Sequence, residues 1–222
     1  RWGQLVKRLV PSAERVRFTA SGTEANLMAI RLARAHTGRA KLMRLKDHFH
    51  GWQDHVAFGS HYQRGSDVVP GVIRGIVESV IVADPANPAA IREVLESDGD
   101  VAAVILEPTG ASSGRVPLPA AFVNMLREVT AEKGIVLIFD EVVTGFRIAP
   151  GGAQEMLAIK PDLTTLAKIL AGGLPAGAVT GTKEIMDHLD FAATAEKGYP
   201  KIPHQGTFNA NPLSAAAGVT ML

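Results

Sequence analysis

The sequence predicts an α/β domain, a three-layer sandwich around a mostly parallel sheet. Three observations predict it. Strand-like runs alternate with helical stretches along the 222 residues. Several of those runs are continuously apolar, as in strands covered on both faces. No internal repeat, low-complexity segment or linker divides the chain, so residues 1–222 read as one domain.

The elements follow in order. "RWGQLVKRLV" opens the chain as a helix, and "VRFT" (16–19) is the first strand. Residues 23–36 form a helix that places Ala25, Met28, Leu32 and Ala35 on one face. "KLMRL" (41–45) and "SVIV" (79–82) are strands. "PAAIREVLES" (88–97) is a helix with proline near its start and Ile91, Val94 and Leu95 for the core. "VAAVIL" (101–106) is a strand, and "PAAFVNMLREVTAEKG" (119–134) is a helix closed by Gly134. "IVLIFD" (135–140), "DLTTLA" (162–167) and "AGAVTG" (176–181) are the last strands. The last two are joined too tightly for a helical crossover and should be antiparallel. "SAAAGVTML" reads as a helix cut short, and no initiator Met opens the chain, so a fragment of a longer protein is expected.

Composition excludes several functions. The net charge is +1 and no Lys/Arg cluster is long, which argues against a nucleic-acid or membrane-surface partner. There is no cysteine, hence no disulfide and no thiolate catalysis. No apolar stretch reaches the roughly 18 residues of a membrane span.

Ligands of such sheets sit at the carboxyl ends of the strands. Four groups fall there: "SGTEA" after the first strand, Glu107 after "VAAVIL", Asp140 and Glu141 after "IVLIF", and Lys168 after "DLTTLA". Ser21, Gly22 and Thr23 open a helix, where free N–H groups and two hydroxyls suit a phosphate; a plain N-cap is the alternative. Asp140 could accept from a cationic ring nitrogen or merely cap a turn. Lys168 stands in an otherwise apolar or small run, as a desolvated nucleophile toward an aldehyde or as a snorkelling surface lysine. Taken together, phosphate, ring nitrogen and aldehyde describe pyridoxal 5′-phosphate. Neighbouring strands lie about 4.8 Å apart, so a flat ring fits between an acid and an amine on separate strands.

"SGTEAN", "HFHGW", "ILEP", "DEVVTGFR", "PDLTTLAKILAGGLPAGAV" and "GTFNANPLSAAAG" resemble, in order and spacing, the motifs of class III pyridoxal-phosphate aminotransferases of fold type I. The resemblance runs from about residue 14 to 220 and implies the large, cofactor-binding domain. It also implies roles. Lys168 would form the Schiff base and shuttle the substrate proton. Asp140 would pair with the ring nitrogen. Ser21, Gly22 and Thr23 would hold the phosphate. Phe49, with His50 beside it, would stack on one ring face and Val142 would press the other. Glu107 would be an acid near the ring. Thr207 would reach the phosphate of a partner subunit, implying a cytoplasmic homodimer acting on a small amino substrate.

"DEVVTGFRIAPGGAQ" is similar to the glutamate-1-semialdehyde aminomutase branch, whereas many other class III enzymes carry Gln at Val143. Ser112 stands where ornithine- and aminobutyrate-type enzymes have a second acid, so their carboxylate-and-arginine switch is expected to be absent. "HQGTFNANP" differs from the aminomutase form, which keeps transaminases of β-amino acids or other amines as the alternative. A remote alternative is a metal-binding hydrolase using Asp47, His48, His50, Asp54, His55 and His61. A nucleotide-binding domain would want G-x-G-x-x-G after the first strand, and "SGTEAN" does not supply it.

Overall fold

A computed structural model describes residues 1–59 and 69–222, with only the backbone at 112–113. In chain order the elements are α1 (Trp2–Leu9), β1 (Arg15–Thr19), α2 (Gly22–Thr37), β2 (Lys41–Leu45), α3 (Arg74–Glu78), β3 (Val80–Ala83), α4 (Pro88–Ser97), β4 (Val101–Leu106), α5 (Ala111–Gly114) and β5 (Val116–Pro117). They continue with α6 (Ala120–Lys133), β6 (Val136–Asp140), α7 (Gly152–Leu157), β7 (Leu163–Leu166), β8 (Gly177–Gly181), α8 (Lys183–Met186), α9 (Phe191–Lys197) and α10 (Pro212–Met221).

Seven strands form one sheet in the order β1-β8-β7-β6-β4-β2-β3. The pairs from β7 through β6, β4 and β2 to β3 are parallel. β8 runs antiparallel to both β7 and β1. The antiparallel pairing of β7 and β8 follows from their short connection, as expected. That only a 3₁₀ turn (Lys168–Ala171) and a short loop lie between them leaves no room for a crossover.

Period-two alternation sorts the apolar runs into two cores. Ala103 and Ile105 of β4 and Ile138 of β6 pack under α2 with Met28, Ile30 and Leu32. Val104 and Leu106, with Leu137 and Phe139, pack on the other face with Ile91 and Leu95 of α4 and Phe122 and Leu126 of α6. Helices therefore cover both faces, and the three-layer arrangement holds. One expected core residue does not: Ala35 is exposed. The buried stripe of α2 is carried instead by Ala25, Met28, Ala29, Ile30, Leu32 and Ala33. The cause is where the stripe is centred: its middle lies near Ala29, and at about 100° per residue position 35 falls roughly 120° from it, just beyond Met28 at the edge.

A third cluster lies at the β1 end of the sheet. Trp2 and Val6 of α1 pack with Leu166, Leu170, Ala171 and Ala178. Trp2 stacks on Phe18, ring centroids 4.0 Å apart, and its Nε1–H donates to Leu170 O at 3.0 Å. Gly172 (φ +60°) ends the 3₁₀ turn, and a Cβ there would lie 3.0 Å from Ala217 O of α10. This packing holds the turn that begins at Lys168. Among the described residues, no helix is long and apolar enough to cross a membrane.

Candidate active site

β6 ends at Asp140 and β7 at Leu166, and the two strands are neighbours with Asp140 opposite Thr165. Lys168, two residues past β7, therefore stands beside Asp140 at the same sheet edge. The N-terminus of α2 follows β1 to that edge. A cavity of about 660 Å³ opens there. Ser21, Gly22, Thr23, Phe49, His50, Glu107, Asp140, Val142 and Lys168 all line it, as do Asn26 and Val143. Of the residues proposed for the site, Thr207 lies elsewhere, exposed and outside the cavity wall, and the strand-end carboxylate Glu141 is not part of that wall either.

Asp140 is buried and held on every side. Its Oδ2 accepts from Asn26 Nδ2 at 2.8 Å and lies 2.8 Å from His50 Nδ1. Its Oδ1 accepts from the Val142 N–H at 3.1 Å. The carboxylate is an acceptor here, which puts a proton on His50 Nδ1. Asn26 is fixed in turn: Thr165 Oγ1 donates to its Oδ1 at 2.6 Å, and its Nδ2 also donates to His50 O at 3.0 Å. The Asn26 orientation thus follows from a hydroxyl donor on one side and two acceptors on the other. Thr165→Val removes that donor and leaves a buried amide oxygen unpaired. A loss of about 1–3 kcal/mol is expected, read as a lower denaturation midpoint at unchanged slope.

Lys168 has φ +48°, a left-handed conformation rare for a residue with a Cβ. Such backbone costs on the order of 1–3 kcal/mol and persists only where packing imposes it. The cluster around Trp2 and Leu170 does so. Desolvation by the cavity wall pushes the ammonium below the usual lysine range, and the positive charge of Arg147 pushes the same way. Asp140 and Glu107 oppose this. The result is an accessible amine that loses its proton more readily than a surface lysine.

The start of α2 carries a reciprocal cap. Ser21 Oγ accepts from the Glu24 N–H at 3.2 Å, and Glu24 Oε2 accepts from the Ala20 N–H at 3.0 Å. The cap uses the Glu24 N–H, so Gly22 and Thr23 bring the first helical N–H groups to the cavity wall. Gly22 packs against Val142, and a Cβ there would lie 2.8 Å from Val142 Cγ2. Such a helix start favours an anion.

The loop after β2 brings Phe49 and His50. The Phe49 N–H donates to Glu107 Oε1 at 2.9 Å, and the Glu107 N–H donates to His48 Nδ1 at 2.9 Å. Burial, helped by His50 and Arg44, pushes His48 down to about 2, so its ring is neutral with the proton on Nε2. These bonds also bear on the metal alternative. His48 is turned to the Glu107 amide, His50 to Asp140, and His55 Nδ1 to Gln53 Oε1 at 3.0 Å. Among the described residues no group of three or more His, Asp or Glu could hold a metal ion; His61 lies outside them.

Several residues of the site went unnoticed in the sequence. Asn26 and Thr165 hold Asp140, yet neither spacing nor composition marks them. Glu141, which the sequence places at the end of a strand, is buried and accepts from Thr144 Oγ1 at 2.9 Å, from Gln154 Nε2 at 2.9 Å and from the Ala153 N–H. It braces the turn after β6 against α7 rather than facing the cavity. Arg44 does carry a signal, a charge set between apolar residues inside β2.

The chain matches the description Aminotransferase class-III over residues 1–222. It is 42% identical to a glutamate-1-semialdehyde 2,1-aminomutase of Chloroherpeton thalassium, over 99% of this chain and 50% of that protein. It is 43% identical to one of Sulfolobus acidocaldarius, over 96% of this chain and 50% of that protein. The chain thus spans about half the length of the curated relatives it matches. Among solved structures it is similar to an omega-transaminase from Sphaerobacter thermophilus, with a TM-score of 0.88, 38% identity, and coverage of 99% of this chain and 51% of that one. A transaminase with pyridoxal phosphate bound gives a TM-score of 0.88 at 34% identity, with coverage of 99% and 51%. The fold, the cavity at its strand ends and these likenesses agree: the chain belongs to the class III aminotransferase family.

Proposed function

We propose that the cavity binds pyridoxal 5′-phosphate and that the protein moves an amino group within one small substrate, as the name of its aminomutase relatives describes. The observation that carries the proposal is the meeting of Lys168, Asp140 and the α2 N-terminus in one cavity. The residues present fit this cofactor. A helix start suits its phosphate, a carboxylate fixed by three neighbours suits its ring nitrogen, and an amine with a lowered pKa suits its aldehyde.

When bound, pyridoxal phosphate supplies an aldehyde that takes up amines and a ring that accepts an electron pair. Ser21, Gly22 and Thr23 would hold the phosphate through hydroxyls and helix N–H groups. Asp140 would keep a proton on the ring nitrogen, and Asn26, His50 and the Val142 N–H hold that carboxylate in place. Phe49 and Val142, both in the cavity wall, would shield the ring from water, while Glu107 holds the loop that bears Phe49. Lys168 Nζ would be the amine for the aldehyde and the group that takes a proton from the substrate carbon and gives it back. Thr207, exposed and outside the cavity, would contribute across a dimer interface, and the proposed working form is a homodimer, placed in the cytoplasm.

The second reading is an intermolecular transaminase, favoured by the omega-transaminase likeness. Both readings share the test of the cofactor. Purified protein mixed with pyridoxal phosphate should turn yellow, borohydride should bleach the band, and peptide mapping should place the label on Lys168. A folded, unlabelled protein would refute the assignment. The two readings separate on substrate: an aminomutase converts glutamate 1-semialdehyde with no second keto acid, whereas a transaminase consumes keto acid one for one.

A further inference from the structure

Arg44 lies within β2, and its side chain is completely buried. Taking a guanidinium out of water costs several kcal/mol unless hydrogen bonds replace the lost hydration. Here carbonyl oxygens replace it. Nη1 donates to Val56 O at 2.6 Å and to Phe58 O at 2.5 Å. Nη2 donates to His48 O, and to Leu45 O at 3.5 Å. Nε–H has no acceptor among the described residues, so the whole hold runs through the two terminal nitrogens. Apart from Leu45, every acceptor belongs to the loop after β2.

That loop carries Phe49, His50 and Gly51 to the cavity wall. On the cavity side it is tied to Glu107 through His48 and Phe49, and to Asn26 through His50 O. Val56 and Phe58, further along the described part of the loop, are buried. Arg44 ties two stretches of the described part of this loop together, because one planar group reaches both His48 O and, ten residues on, Phe58 O. A lysine offers three donors from a single point and cannot span the same carbonyls. Burial pushes the guanidinium down to about 10, with Glu107 and Asp47 opposing, so it stays charged at neutral pH.

We infer that Arg44 is a positioning residue of the candidate active site: by gathering the carbonyls of His48, Val56 and Phe58 it sets where Phe49 and His50 stand against Glu107 and Asp140. Its relevance to catalysis rests on the proposed function. The hold itself does not.

The test uses Arg44→Met and Arg44→Lys, with two readouts. The first is the ring ¹⁵N signals of His48 and His50 without cofactor, which report the proton on each nitrogen. In the wild type, His48 should be protonated at Nε2 and His50 at Nδ1. Arg44→Met should remove this fixed pattern, and Arg44→Lys should restore part of it. The second is the dissociation constant for pyridoxal phosphate, expected to rise about tenfold or more in Arg44→Met and less in Arg44→Lys. Wild-type ring signals and wild-type affinity in folded variants, with only the melting temperature lowered, would overturn the inference. If Arg44→Met does not fold, Arg44→Lys decides on the same two readouts. A wild-type protein that binds no pyridoxal phosphate sinks the proposed function, while the ring signals still decide whether Arg44 positions the loop.

Discussion

Lys168→Ala is expected to abolish turnover and borohydride labelling while leaving the fold intact. Loss of the proton-transferring group alone removes about 10²–10⁴-fold in rate, and loss of the anchoring amine adds to this. Stability should change little. Alanine at φ +48° is strained as lysine is, and the lysine head group is accessible rather than packed. A variant that melts far below the wild type would mean that the side chain, and not only its amine, holds the 3₁₀ turn. The wild-type amine also carries a pH signature. The nucleophile is the neutral amine, and desolvation lowers the Lys168 pKa from 10.5, with Arg147 adding to the shift and Asp140 and Glu107 opposing it. The rate of cofactor attachment should therefore rise with pH and level off below 10.5. A midpoint at or above 10.5 would show that the cavity does not desolvate the amine.

Asp140→Asn should be nearly as severe, for a reason visible around the carboxylate. Oδ2 serves Asn26 and His50, and Oδ1 serves the Val142 N–H, so both oxygens act as acceptors. An asparagine offers one oxygen and one NH₂. Whichever way it turns, its NH₂ meets a donor: the Val142 N–H in one orientation, Asn26 Nδ2 and the His50 Nδ1–H in the other. A buried donor without an acceptor costs about 1–3 kcal/mol, so the denaturation midpoint should fall. The amide also carries no charge to hold a proton on the ring nitrogen, so turnover should fall by more than that stability loss implies. Titrating cofactor into the variant separates the two effects: affinity reports the disturbed site and turnover reports the lost charge. Full activity in a correctly folded Asp140→Asn variant would mean that another group serves the ring nitrogen.

Apolar patterning carried most of the fold. β2 and β4 match "KLMRL" and "VAAVIL" residue for residue, and α4 matches 88–97, because burial on both faces and an N1 proline leave clear traces. Gly134 ends α6 at φ +62°, as a glycine C-cap should. Nothing in the sequence marks the helices of 183–197, since α8 and α9 are too short for a helical period to show.

By itself, then, the sequence determined the layer architecture, the antiparallel turn at Lys168 and the chemical types gathered at the strand ends. These depend on local pattern and on strand direction. Tertiary structure alone decided which neighbours hold them. Asn26 on α2, Thr165 on β7 and His50 in the loop after β2 meet at Asp140 only because α2 lies across β6 and β7. Arg44 reads as an odd charge in an apolar strand until the loop folds back and offers it three carbonyls. Hydrogen bonds between residues distant in the chain leave no period in the sequence, and their energies arise only once the fold has removed water from both partners.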